Sequence, residues 1–220
     1  IMIQPQIAVL TGDLVASTRQ PADRVDAAMQ ALRQSAGQVT AWQTPPYDTR
    51  FTRFRGDGWQ IALTNPGLAL RAAVVLQATL GARGLESRMS IGIGPAETLG
   101  TTDLSDAAGR AFELSGQGLD KMADTSRIAI AGASVTEADA MIADLLGERM
   151  GRWTAAQAQA AALQLAAPDR IITLAEVGKT LGISPQAVND RVRGAGCGTI
   201  ASVLRRWEAL KSRDNRDPAP

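Results

Sequence analysis

The run RFRGDGWQIAL, Arg53–Leu63, decides the fold. Its Gly56-Asp57-Gly58 is a tight-turn signal between two alternating stretches, the pattern of a β-hairpin. Upstream, QIAVLTG (Gln6–Gly12) is a short apolar run bounded by glycine, as a buried central strand would be, and Asp13 follows it directly. A carboxylate at a strand end and another in a hairpin have two readings. Both are turn residues, or both face one metal ion.

Outward from the hairpin, the elements order themselves. Residues 21–42 open on Pro21, carry acidic residues in the first turn and repeat Val25, Met29, Leu32 and Ala36 at helical spacing. Residues 66–84 form a strongly apolar helix with a glycine stop. SRMSIGIGPAE (87–97) is a strand whose glycines mark close backbone packing, because it lacks the Lys-Ser/Thr of a phosphate loop. Residues 105–124 are expected to be a helix interrupted by glycines, and SRIAIAG (126–132) a strand. The order β-α-β-β-α-β-α-β predicts an α/β sandwich of mixed α+β type. Trp59, Phe54 and Met89 are expected in its core, and Cys197, between two glycines, in a turn. From residue 135 onward the pattern is helical. Expected units are an α/β domain at 1–136, a helical linker at 137–168, a small all-α domain at 169–213 and a disordered tail at 214–220.

Composition removes whole classes of chemistry. The chain of 220 residues has no histidine and one cysteine. A Ser-His-Asp triad, histidine metal ligands, an internal disulfide and a cysteine-bound structural zinc are therefore excluded. Any metal must be a hard cation held by carboxylates, such as magnesium, manganese or calcium. No apolar run approaches the roughly 18 residues of a membrane span and no signal-peptide pattern opens the chain, so a cytoplasmic protein without membrane contact is expected.

Charge is unevenly distributed. Residues 1–168 carry 14 Lys/Arg against 16 Asp/Glu, whereas residues 169–213 carry 8 against 4. That basic region contains ITLAEVGKTLGISPQAVNDRVRGAG (Ile172–Gly196), with the grammar of a helix-turn-helix. Thr173 can cap a first helix that buries Leu174, Val177 and Leu181. Gly182 permits the turn, Ser184 caps the second helix, and Pro185 takes its first position. Val188 and Val192 face inward, which leaves Gln186, Asn189, Asp190, Arg191 and Arg193 outside. Gln, Asn and Arg are the side chains that read base edges in the major groove of double-stranded DNA. Arg205, Arg206, Lys211 and Arg213 on the next helix are available to phosphates. A tri-helical protein-binding module is the alternative to a DNA reader.

The aspartate motifs add a resemblance. TGDLVAST and FRGDGWQIAL, followed by RMSIGIGPAE and DAAGRAFE, resemble a class III nucleotidyl cyclase domain over about Ile7 to Gly132. The resemblance implies a ferredoxin-like sandwich that dimerises head to tail. It implies that Asp13 and Asp57 are metal ligands for magnesium or manganese, and that Arg53 and Asp106 contact a purine nucleotide. It also implies impaired catalysis, because the position of the charge-stabilising arginine is Gln117 and that of the asparagine is Glu113. GDLVASTRQPADR is similar to the SatD family, whose members look like cyclase domains lacking parts of the active site, several with a C-terminal helix-turn-helix. The expected function is a homodimeric transcription regulator that senses a nucleotide or divalent metal. The alternative is an active nucleotidyl cyclase or related metal-dependent phosphoryl-transfer enzyme whose charge-stabilising group comes from Arg110 or Arg127.

Overall fold

The structure, a computed structural model, describes residues 5–54 and 56–214, with Arg213 and Asp214 described by backbone alone. The expected tail therefore lies outside the described residues except for the backbone of Asp214, as does the side chain of Arg213. Five strands form one sheet: β1 (Gln6–Leu14), β2 (Thr52–Phe54), β3 (Gly58–Leu63), β4 (Ser87–Pro95) and β5 (Ile128–Gly132). Their order is β2-β3-β1-β4-β5, with β5 parallel to β4 and the other neighbours antiparallel. The apolar run around Ile7–Leu10 is thus the central strand, paired on both edges. Among the described residues there are eight α-helices, three within the β-α-β-β-α-β-α-β body: α1 (Ala22–Trp42), α2 (Ala69–Gly81) and α3 (Arg110–Lys121).

Strand alternation assigns the two faces. Ala8, Leu10 and Leu14 point into the larger core with Met29, Leu32 and Val39 of α1 and the apolar residues of α2. Ile7 and Val9 point the other way, into a smaller core with Ala62, Leu104 and Ala111. Helix α3 lies on this second face, and β4 is shaped for it. A Cβ added to Gly92 would come within 2.2 Å of the Ala111 carbonyl oxygen, so only glycine allows that approach. The buried Thr11 and Ser115 hydroxyls, 2.8 Å apart, tie β1 to the same helix.

Three expectations change. Residues 105–109 belong to a loop, because helix α3 begins only after Gly109, and Thr98 pairs in an isolated bridge with Ala108. Phe54 is 37% exposed, at the end of β2, a three-residue strand on the edge of the sheet. Cys197 is buried at the start of a helix and not in a turn, and desolvation pushes its thiol up to about 12. Trp59 and Met89 are fully buried, as expected of core residues.

Beyond the sheet come α4 (Glu137–Gly151), α5 (Ala155–Gln164), α6 (Leu174–Leu181), α7 (Pro185–Ala195) and α8 (Cys197–Asp214). Side-chain packing continues across the expected boundaries at 136 and 168, and the large core includes Ala143, Met150, Leu165, Ile200, Leu204 and Trp207. Helix α2 is the reason. Every residue from Ala69 to Leu80 is buried, so the helix needs cover on all sides. It receives that cover from the sheet, α1, α4 and α5, while α8 packs beside its leading turn at Pro66–Leu68.

One buried residue of α2 is charged. Arg71 donates from Nε and Nη2 to the two Glu208 oxygens of α8, at 2.5 and 3.0 Å, and from Nη1 to the Leu165 carbonyl at 3.1 Å. Its side chain is 3% exposed and that of Glu208 15%. A second clasp joins α8 to α4, where Asp139 accepts from Trp207 Nε1 at 2.7 Å and from Lys211 Nζ at 2.8 Å. Removing one partner of a buried pair strands the other charge, at a cost of about 3–5 kcal/mol. Glu208→Ala is therefore expected to lower unfolding free energy by that amount. Urea titration followed by circular dichroism checks this, and a loss within error of zero would mean the pair carries no stability.

Candidate functional site

The sheet ends and the C-terminal helices hold the two groups of candidate residues. Asp13, the penultimate residue of β1, has Gly58 and Arg88 as its register partners on the flanking strands. Arg88 grips it side-on, Nε to Oδ1 at 3.2 Å and Nη2 to Oδ2 at 2.7 Å, and its Nη1 also lies 3.6 Å from Asp124. The hydrogen bond to Asp13 holds the guanidinium above its ordinary value. Asp57, in the hairpin, accepts a hydrogen bond from the Ser17 hydroxyl. Arg53 on the edge strand donates to Asp26 at 2.7 Å and to the Gly56 carbonyl at 2.5 Å. Asp106 lies exposed in the loop before α3, where Oδ1 accepts from the Thr101 amide at 3.1 Å and Oδ2 from its hydroxyl at 2.9 Å. Those bonds lower its pKa below the ordinary carboxylate value.

Asp57 and Arg53 thus share one groove of about 370 Å³ with Ser17 and Asp26, whereas Asp13 and Asp106 do not line it. Asp13 sits across the β1–β3 register, held by Arg88, and Asp106 staples its own loop. Arg88 is the residue that sequence reasoning did not single out. Its signal, an arginine inside SRMSI, acquires meaning only from the β1–β4 register. The cations expected to substitute at an enzymatic site are paired elsewhere, Arg110 with Glu113 at 2.9 Å and Arg127 with Glu86 at 2.6 Å. Gln117 is exposed on α3.

A hard divalent ion asks for several carboxylate or carbonyl oxygens directed at one point. Here both oxygens of Asp13 already receive guanidinium N–H bonds. Among the described residues no group of three or more His, Cys, Asp or Glu converges to hold a metal ion. The side chains as arranged do not fit such an ion.

The C-terminal helices are built from strong local signals. Thr173 and Glu176 form a reciprocal capping box at the start of α6. Gly182 ends α6 at φ 67°, a left-handed conformation that glycine adopts without strain. The Ser184 hydroxyl then accepts from the Ala187 amide at 3.2 Å, with Pro185 in the first position of α7. Val188 is fully buried and Val192 partly so, and α7 packs on α5 and α6. At the far end of α7, Arg149 and Trp153 donate to the carbonyls of Gly194 and Ala195. Gln186, Asp190 and Arg193 are exposed, as are Ser184, Arg205 and Arg206, while Asn189 and Arg191 are half-buried. Arg191 reaches Gln159 at 3.4 Å, and Arg193 lies 3.6 Å from Asp190. Lys211, expected to face phosphates, is instead buried against Asp139.

No protein-family model matches the sequence, and no curated protein matches it. Among solved structures, the chain is similar to the crystal structure of the guanylyl cyclase Cya2, at 18% identity and a TM-score of 0.42, over 59% of this chain and 77% of that one. No helix among the described residues is long and apolar enough to cross a membrane. What the site can do is set by its own side chains.

Two outcomes follow from the geometry. With Arg88 seated on Asp13, millimolar magnesium should leave the melting midpoint unchanged, whereas Arg88→Met should make it magnesium-dependent. Differential scanning fluorimetry reads both, and a magnesium shift in the parent protein would show that the ion displaces the guanidinium. Glu176 has its pKa lowered from 4.5 to about 2 by the Thr173 amide, the Thr173 hydroxyl and Arg170. A carboxylate depressed in the folded state stabilises above its unfolded pKa and loses that contribution as pH falls through the folded one. The difference in melting midpoint between the parent and Glu176→Gln should therefore be full near neutral pH and shrink between about 4.5 and about 2.

Proposed function

We propose that the chain is a DNA-binding transcription regulator in which α6, α7 and α8 act as a helix-turn-helix and the α/β body is a degenerate, cyclase-like scaffold. The observation that carries this reading is the outer face of α7. A helix started by Ser184 and Pro185 and anchored by Val188 leaves Gln186 and Arg193 exposed. These are the residue types that bond bidentately to adenine and guanine edges. Ser184, Asn189 and Arg191 flank them for phosphate or base contact, and Arg205 and Arg206 supply positive charge from α8. Asp190, near Arg193, repels phosphate and favours orientations in which that guanidinium exchanges its carboxylate for a guanine edge.

In this reading the protein works as a homodimer, two copies presenting two α7 helices to a two-fold operator, and its DNA partner places it in the cytoplasm. A purine nucleotide at Arg53 and Asp106 would act by displacing the Asp26 and Thr101 contacts, whereas magnesium or manganese at Asp13 and Asp57 has no part in this reading. No observed arrangement favours the phosphoryl-transfer alternative, since each candidate cation already has a carboxylate partner.

Fluorescence anisotropy on duplex DNA from the protein's own upstream region, against a scrambled duplex, tests the proposal. Specific binding about 10³-fold tighter is expected. Gln186→Ala and Arg193→Ala should each reduce discrimination by about 1–3 kcal/mol. Arg206→Ala should weaken both duplexes alike and reduce the salt slope by about one. Equal affinity for the two duplexes in the parent protein would reject sequence-specific reading.

A further inference from the structure

Helices α4 and α8 run side by side in opposite directions. At the start of α4, Asp139 accepts from Trp207 and Lys211 in the second half of α8. At the end of α4, Arg149 donates to the carbonyls of Gly194 and Ala195, directly before α8 begins. These ties hold the inner sides of the pair. On the outer sides, Met141 is 54%, Leu145 69% and Leu210 57% exposed, three of the five exposed large hydrophobic residues among those described. Scattered singly, such residues need no explanation, but grouped on one face they mark an interaction surface. Met141 and Leu145 are one turn apart and so share a side of α4.

Charge on this face is divided by helix. Glu137 and Asp144 of α4 and Arg206 of α8 are exposed, and none of their side chains has a hydrogen-bond or ion-pair partner among the described residues. The other charges are met within the chain, Glu148 by Arg152 and Glu208 by Arg71. We propose that this face docks a second copy of the chain, about a two-fold axis that lays α4 of each copy on α8 of the other. Pairing like helices would set Asp144 against its own copy and Arg206 against its own, and like charges brought together across an interface are penalised. Crossing the pairs instead sets Asp144 opposite the partner's Arg206 twice over, with Met141, Leu145 and Leu210 closed off from water between them. A two-fold contact requires this self-complementarity, because one patch must serve both sides. The inference rests on the homodimer of the reading above and gives it a surface. Arg206 is also a phosphate candidate, and Arg205 beside it stays open to DNA.

Sedimentation velocity of the full chain, without DNA and over a concentration series, tests this. The parent protein is expected at twice the chain's 23.1 kDa. Leu145→Glu should sediment as a monomer. Asp144→Arg and Arg206→Asp should each weaken self-association by about tenfold or more, and the two combined should recover most of that loss, because the pair is restored with its signs exchanged. All three positions are exposed, so the variants should keep the parent's circular dichroism spectrum. A monomeric parent would overturn the surface and the homodimer together. A dimer unaffected by Leu145→Glu, or a double exchange as weak as the single ones, would overturn the surface and leave the homodimer standing. Sequence discrimination on DNA is a separate measurement, so the two proposals fail separately.

Discussion

A guanidinium placed in the first turn of a helix with no solvent-facing side is the constraint on which the C-terminal half depends. Helix α2 is buried around its whole circumference, so no two-layer sandwich can satisfy it; one flank would remain in water. The chain answers with α4 and α5 as a second wrapping layer. Arg71 makes the answer specific. Apolar surfaces can slide against one another at little cost, but a buried cation accepts only a partner at hydrogen-bond distance. Glu208, 137 residues away, is that partner. Its position on α8 sets where that helix crosses the leading turn of α2, and the Asp139–Trp207–Lys211 cluster fixes its rotation. The small helices are thereby seated on the body.

That seating explains which parts of the fold were legible in the sequence. Local signals gave reliable elements: the Gly56-Asp57-Gly58 turn, the Pro21 start of α1, the Thr173–Glu176 capping box and the Ser184-Pro185 start of α7 are each decided by neighbours within four residues. What resisted reading was decided at long range. Loop 98–109 contains enough Ala and Leu to imitate a helix start. It is held open by Thr101–Asp106, by the Thr98–Ala108 bridge and by Arg50 donating to the Leu99 carbonyl at 2.8 Å. Lys211 looked like a phosphate contact because basic residues in an amphipathic helix usually face water. The partner that buries it, Asp139, is 72 residues earlier. Counting charge by segment cannot distinguish a cation displayed to solvent from one consumed by the fold.

The same distinction governs the aspartates. Their placement at a strand end and a hairpin was readable, because turn chemistry and strand length are local. Their electrostatic state was not. A half-buried carboxylate at the end of a central strand needs a counter-charge, and that charge can come from solution as a metal ion or from the chain as a side chain. Cross-strand register decides between them here. Asp13 is directly opposite Arg88, at the spacing where opposite charges on neighbouring strands pair. A planar guanidinium then satisfies both carboxylate oxygens without an ordered water shell.

An internal counter-charge has a mechanical consequence. A metal-held site is assembled from outside and can be emptied, so the elements it joins retain some freedom. The Arg88–Asp13 pair joins β1 to β4 within the sheet itself, between strands already paired along nine register positions, and therefore adds rigidity where the backbone is least able to move. On the outer faces of α7 and α8, Gln186, Arg193, Arg205 and Arg206 are exposed to solvent. In the proposed DNA-reading role, a stiff α/β body holds these exposed polar groups in fixed positions, because a site seated on rigid elements keeps its geometry.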